Sequence, residues 1–165
     1  MRTLAIVMGL ACASQALAAE VYPGKPIRMM ESGAILIYLA DKTGKFFPTK
    51  LKYPVLQWLM FQMGGVGPMF GQAHHFMRAK KDEVPYGSER YGNEAKRLYG
   101  VMDKHLSAHE YFADEYSIAD MAIYPWTARY EWHRVDIASF KNVKRWYDQV
   151  GARPAVVKGM AVPQV

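Results

Sequence analysis

The sequence predicts a mainly α-helical fold: a helical bundle joined to a remnant of a second domain that holds one strand at most and one helix. Apolar residues recur at steps of three and four along five stretches after residue 31, the period of helices with one buried face. Only one short apolar stretch has the length and flanking turn of a strand, and no internal repeat is present. With 51% apolar residues in a chain of 165, including 11 Met, 11 Tyr and 4 Trp, there is enough apolar surface for a core without disulfides.

Residues 1–19 differ from the rest. Arg2 precedes the apolar run Leu4-Ala5-Ile6-Val7-Met8-Gly9-Leu10-Ala11, and Ala16-Leu17-Ala18-Ala19 offers an Ala-x-Ala cleavage site, the layout of a secretory signal peptide. The alternative is an atypical start in which this stretch is a buried strand or helix. The run is too short to span a bilayer comfortably and no second long apolar run follows, so no membrane insertion is expected after this segment. Pro23-Gly24-Lys25-Pro26 then makes a turn ahead of Ile27-Arg28-Met29-Met30, which fits the single strand.

From there helical spacing takes over. Ile35, Leu36 and Leu39 mark a helix over 32–43, stopped by Gly44, which tolerates positive φ just past a helix end. A linker with Pro48 and Pro54 leads to a second helix, one face of which carries Leu56, Leu59, Met60 and Met63. Gly64-Gly65-Val66-Gly67-Pro68 must bend it, because proline removes a donor and clashes with the carbonyl four residues back. Tyr91, Ala95, Leu98, Met102 and Leu106 stripe a third helix over 86–109, and a fourth, largely apolar, is expected over 118–133. Phe140, Val143, Trp146, Tyr147 and Val150 stripe a fifth that ends at Gly151, and Pro154 opens a short last turn or helix. The expected division is 1–19 as signal-like or atypical N-terminus, 20–47 as the remnant, and 48–165 as the helical domain.

The formal charge of +6 would suit an anionic partner, but basic residues alternate with Asp and Glu along the chain, so nucleic acid is not expected as one. The single cysteine, Cys12, lies in the N-terminal run, which excludes an internal disulfide and a CxxC pair; thiol chemistry would need a borrowed thiol. His74 and His75 are neighbours that point about 100° apart on a helix. His105 and His109 have the spacing of metal ligands, yet no further His, Cys or carboxylate cluster completes a site, and no metal is expected.

Three motifs stand out against this pattern. Ser117-Ile118-Ala119-Asp120 is an N-capping box: the serine oxygen accepts from a first-turn N–H while the aspartate accepts from the serine's own N–H, with Tyr116 and Met121 placed as a hydrophobic staple. This is a folding element. Glu31-Ser32 opens the first helix, where unpaired N–H groups and the positive end of the macrodipole favour an anion. Ser32 adds a hydroxyl donor and Glu31 an acceptor for an ammonium, so the pair suits the carboxylate and amine of one α-amino acid moiety; an ordinary helix cap is the other reading. Arg90, in Ser88-Glu89-Arg90-Tyr91, offers a donor fork for a second carboxylate, or else is a solvated surface arginine.

In this order the pieces resemble the glutathione transferases, and most of all the bacterial Nu-class group of the disulfide-bond reductase type. The resemblance rests on Glu31-Ser32-Gly33-Ala34-Ile35-Leu36-Ile37-Tyr38-Leu39-Ala40, Gln57-Trp58-Leu59, Gly64-Gly65-Val66-Gly67-Pro68-Met69, Gly71-Gln72-Ala73-His74-His75-Phe76, Tyr116-Ser117-Ile118-Ala119-Asp120-Met121-Ala122 and Arg153-Pro154-Ala155. It covers about residues 24 to 161 and implies that 20–47 is the end of a thioredoxin-like domain and 48–165 the family's C-terminal helical domain. It implies that Glu31 and Ser32 hold the γ-glutamyl end of glutathione, that Arg90 also contacts glutathione, and that the protein is a homodimer. The family's first strand, its activating N-terminal residue and its cis-proline cannot be placed here; residues 1–19 stand where they would be, as in a truncated member. The resemblance therefore implies glutathione-dependent conjugation or disulfide reduction through the thiolate of glutathione, without assigning a catalytic residue. The alternative is a non-catalytic helical dimerisation or interaction domain. The family implies a cytoplasmic location, and a working signal peptide a periplasmic or secreted one.

Overall fold

The computed structural model describes residues 31–80 and 83–162. The signal-like segment 1–19 and the expected strand at 27–30 lie outside the described residues. Within them the chain forms α1 (Ser32–Thr43), α2 (Lys52–Phe61), α3 (Gly67–His74), α4 (Pro85–Leu106), α5 (Ile118–Thr127), α6 (Lys141–Gly151) and α7 (Pro154–Met160). Among the described residues there is no strand, only an isolated bridge between Ala113 and Glu115. None of these helices is long and apolar enough to cross a membrane.

The first helix begins and ends where its spacing predicts. Gly44 takes φ 65, and its N–H donates to Ala40 O, closing α1 in the left-handed conformation that glycine adopts without a Cβ clash. Phe46 follows at φ 64. With that second left-handed turn, Phe46 O accepts from Ile118 N at 3.0 Å and the Phe46 ring meets Tyr116 edge-on at 5.8 Å. The connector after α1 is thereby fastened to the start of α5, against which α1 also packs.

The expected bend between α2 and α3 is a widened turn, Gln62–Val66, in which the Gly67 N–H reaches back five residues to Gln62 O. A second such turn, His75–Ala79, follows α3, with Lys80 N donating to His75 O at 2.8 Å. The buried face of α2 departs from expectation: Val55, Trp58 and Leu59 point inward, followed by Gln62 in the widened turn, while Met60 is 51% exposed. Because α2 is apolar nearly all round, periodicity alone could not choose between two adjacent stripes.

The core is built around α4: Ala95, Leu98, Met102 and Leu106 are buried as the third stripe predicts, Tyr91 of that stripe is half-buried, and Tyr99, outside it, is buried as well. The widened turn after α3 lies close against it: a Cβ on Gly87 would stand 2.6 Å from the Phe76 ring, and one on Gly92 2.2 Å from Met77 Cε. Two neighbouring helix ends cap one another. Asp103 on α4 accepts from Asn142 N at 2.8 Å and Val143 N at 3.1 Å at the start of α6. Arg145 on α6 in turn donates to Leu106 O and His109 O, both at 2.9 Å, at the end of α4.

The fourth expected helix is shorter than 118–133. Pro125 has no N–H to donate to Met121 O, and α5 stops two residues later; Arg129 N donates to Trp126 O, and a 3₁₀ turn covers Tyr130–His133. The capping box at its start forms as predicted: Ser117 Oγ accepts from Ala119 N at 3.3 Å, and Asp120 Oδ2 accepts from Ser117 N at 2.9 Å. Asp120 does more than cap. Its carboxylate is fully buried and also accepts from Ser117 Oγ, from Phe112 N at 3.2 Å and from Trp146 Nε1 at 2.8 Å. Burial pushes this carboxyl up, and the donors from Trp146, Ser117 and Phe112 push it back down.

Each Asp120 oxygen receives two donors, so an amide in the same place would turn its NH₂ onto two of them whichever way it flipped. Asp120→Asn is therefore expected to lower stability by at least about 2 kcal/mol, read as a drop in the midpoint of thermal unfolding; a midpoint equal to that of the parent would contradict this account of the core.

Candidate functional site

The start of α1 is an unusual helix end. Glu31 precedes it at φ 73 and ψ 114, a conformation that non-glycine residues rarely hold, and no side chain caps the helix. The first helical bond runs from Ile35 N to Glu31 O at 3.0 Å, so the N–H groups of Ser32, Gly33 and Ala34 have no helical partner. They sit at the positive end of the macrodipole. Gly33 is buried with Met63 directly above it, where a Cβ would stand 3.1 Å from Met63 Sδ. Ser32 Oγ lies 3.7 Å from the same sulfur and is solvent-exposed. The result is three amides without a helical partner and one hydroxyl in a held backbone, beside one exposed carboxylate.

Arg90 stands elsewhere, exposed near the start of α4. Its guanidinium lies 5.9 Å from the Tyr91 ring centre, and hydrogen bonding to Tyr86, then to Tyr91, raises its pKa above the ordinary value. Arg90 lines two concavities: one of about 440 Å³ with Met69, Tyr91, Asn93, Glu94 and Arg97, and one of about 270 Å³ with Tyr86, Glu89 and Asn93. Neither of these two concavities is lined by Glu31 or Ser32. Arg97 is engaged by Glu94 through two hydrogen bonds of 2.8 Å, and the charge of Arg90 acts on the same carboxylate, helping to hold its pKa below the ordinary value. A third concavity, about 320 Å³ and mostly apolar, opens between Phe46, Met121 and Met160, with Arg153 held 3.7 Å over the Tyr116 ring.

The histidines have structural partners. His105 Nε2 lies 3.0 Å from Phe112 O, His109 Nδ1 lies 2.5 Å from Asp114 Oδ1, and the two rings stack at 4.2 Å. Among the described residues no group of three or more His, Cys, Asp or Glu is placed to hold a metal ion.

A helical bundle of this order is that of a glutathione transferase C-terminal domain, and the family described as glutathione S-transferase, C-terminal domain, matches residues 80–154. The chain belongs to the glutathione S-transferase family. Disulfide-bond oxidoreductase YfcG of Escherichia coli is 43% identical over 145 residues, covering 86% of this chain and 67% of that protein. A glutathione transferase from Pseudomonas putida, solved with one glutathione disulfide bound per subunit, superposes with TM-score 0.79 at 46% identity, over 85% of this chain and 65% of that one. Another, from Burkholderia graminis with two glutathione molecules bound per subunit, gives TM-score 0.76 at 45% identity, over 86% and 63%. The chain thus spans about two thirds of the length of these relatives.

One buried group escaped sequence reasoning. His133 is fully buried between Phe70, at 4.5 Å between rings, and Tyr99, whose hydroxyl lies 3.5 Å from His133 Nδ1; His133 Nε2 has no partner. Burial, and then the charge of His74, pushes its pKa down to about 4. Between that value and the ordinary 6.5, the unfolded chain takes up a proton that the folded core refuses, so stability falls as pH drops through this window. The His133 contribution to that loss is expected to reach about 3 kcal/mol. Denaturant titrations of the parent and of His133→Gln at pH 7 and pH 4.5 check it: the variant should lose clearly less stability than the parent, and equal losses would show that His133 does not titrate this way.

Proposed function

We propose that this protein binds glutathione at the start of α1 and uses the thiolate of that tripeptide for conjugation or disulfide reduction. The observation that carries the reading is the backbone of Glu31. A residue at φ 73 and ψ 114 holds strain on the order of 1–3 kcal/mol, which persists only where surrounding structure imposes it and is characteristic of ligand clamps. The strained residue stands directly before Ser32 and Gly33, whose amides have no helical partner, and the Ser32 hydroxyl is exposed beside them. The γ-glutamyl carboxylate would take these donors, its ammonium would take the Glu31 carboxylate, and Arg90 would take a second carboxylate through its donor fork.

The relatives support this choice of ligand, since solved neighbours hold glutathione or glutathione disulfide and the E. coli relative is a disulfide-bond oxidoreductase. In the reductase reaction the thiolate attacks one sulfur of a disulfide, forming a mixed disulfide and releasing the other sulfur as a thiolate that takes a proton. A second glutathione thiolate then attacks the mixed disulfide, giving glutathione disulfide and the second reduced thiol. In conjugation the same thiolate bonds to an electrophilic carbon. Glu31, Ser32 and Arg90 bind the ends of the tripeptide and not its sulfur, so in this proposal they are binding residues. The reduced glutathione pool of the cytoplasm is the matching compartment.

The proposal extends to a homodimer. Tyr53 and Met60 on α2 and Tyr86 on α4 are 80%, 51% and 70% exposed, large side chains of the kind a partner subunit covers. The same side chains favour a second reading, a helical interaction domain without catalysis; a dimer by sedimentation that is indifferent to glutathione would select it.

Calorimetric titration of the parent with glutathione tests the main reading. Ser32→Ala is expected to weaken binding about tenfold, the usual effect of deleting a hydrogen bond to a charged group, with Arg90→Met weakening it less. Unchanged affinity in Ser32→Ala would contradict the reading.

A further inference from the structure

A second concentration of donors lies where α3 runs out. His74 ends α3, Arg78 sits in the widened turn after it, Arg129 follows α5, and Trp132 lies in the 3₁₀ turn Tyr130–His133. Arg78 and Arg129 place their guanidinium carbons 3.8 Å and 4.7 Å from the Trp132 ring centre, and the His74 ring packs on the same indole at 4.4 Å. Stacking fixes a guanidinium by its plane and leaves its N–H edge free to bond. Among the described residues no carboxylate forms an ion pair with Arg78 or Arg129.

The two turns that carry these groups are fastened to one another. Arg134 donates to Met77 O at 2.9 Å, joining the end of the 3₁₀ turn to the widened turn. Phe76 and Met77 from that same turn press on Gly87 and Gly92 of α4, which holds the backbone that carries Arg78. Bringing these cations together is unfavourable by itself: after burial, the charges of Arg78, Arg129 and His75 push the His74 pKa down. An anion at this face would relieve that repulsion.

We propose that this face binds a phosphate monoester. One guanidinium fork satisfies the two oxygens of a carboxylate, whereas two forks and an imidazole match the three oxygens and double charge of a phosphate. None of Glu31, Ser32 and Arg90 belongs to this cluster, so the inference stands independently of the glutathione reading.

Calorimetric titration of the full chain at low ionic strength tests it, with phenyl phosphate as a small soluble ester in one arm and an otherwise uncharged phosphoserine peptide in the other. Saturable binding is expected in at least one arm, weakened about tenfold by Arg78→Met and by Arg129→Met, while affinity for glutathione stays as in the parent. Tighter binding of the ester would identify a small metabolite as the source, and tighter binding of the peptide a phosphorylated protein. Absence of binding in both arms overturns the proposal. So does sulfate or acetate binding equally well and unaffected by either substitution, which would mark an adventitious ion only.

Discussion

The buried carboxylate of Asp120 is the interaction on which the rest of this structure depends. It gathers donors from the cap of α5, from the loop at Phe112 and from Trp146 on α6, and so ties three parts of the chain to one point in the core. An ionised group without access to water is tolerated only when its lone pairs are filled, and here each oxygen accepts twice. The consequence is positional. With the first turn of α5 fixed, Ile118 N is presented to Phe46 O, and the connector that ends α1 is fixed with it.

That chain of constraints explains how a short helix next to the bundle keeps a strained start. On its own, α1 is 12 residues long and apolar on most faces, too short to be stable in water without tertiary support. Packing on α5 and the close seat of Gly33 under Met63 supply that support. The open amides of Ser32, Gly33 and Ala34 are then held in place, and binding would not have to meet the entropy of ordering them. The folding element and the proposed binding element are therefore different residues, joined through α5.

Some of this was legible in the sequence because the interactions are local. The boundaries of α1 follow from Ser32 and Gly44, and the capping box from the three-residue spacing of Ser117 and Asp120. The other partners of Asp120 were not legible, because Phe112 and Trp146 lie 8 and 26 residues away. The early end of α5 was signalled by Pro125 and outweighed by the apolar run around it. The conformation of Glu31 had no signal at all, since glutamate carries no preference for positive φ and the strain is imposed from outside. Local chemistry does not choose between an ordinary cap and an amino-acid seat at Glu31 and Ser32; the link to glutathione rests on family resemblance, as does that of Arg90, which lines two concavities near the start of α4. The cationic face at Trp132 was hidden for a related reason. Along the chain its basic residues alternate with acids, and only folding brings residues 74–78 against 129–132.

The central claim is that α1 offers its first amides to a ligand from a position set by the bundle. Amide chemical shifts, followed as glutathione is titrated into the isotopically labelled chain, test it most directly. The account predicts that the Ser32, Gly33 and Ala34 signals move progressively toward saturation, while those of Phe112, Ser117 and Ile118 around Asp120 stay in place. Shifts confined to other parts of the chain, or a collective change throughout α1 and α5 that signals ordering on binding, would contradict it.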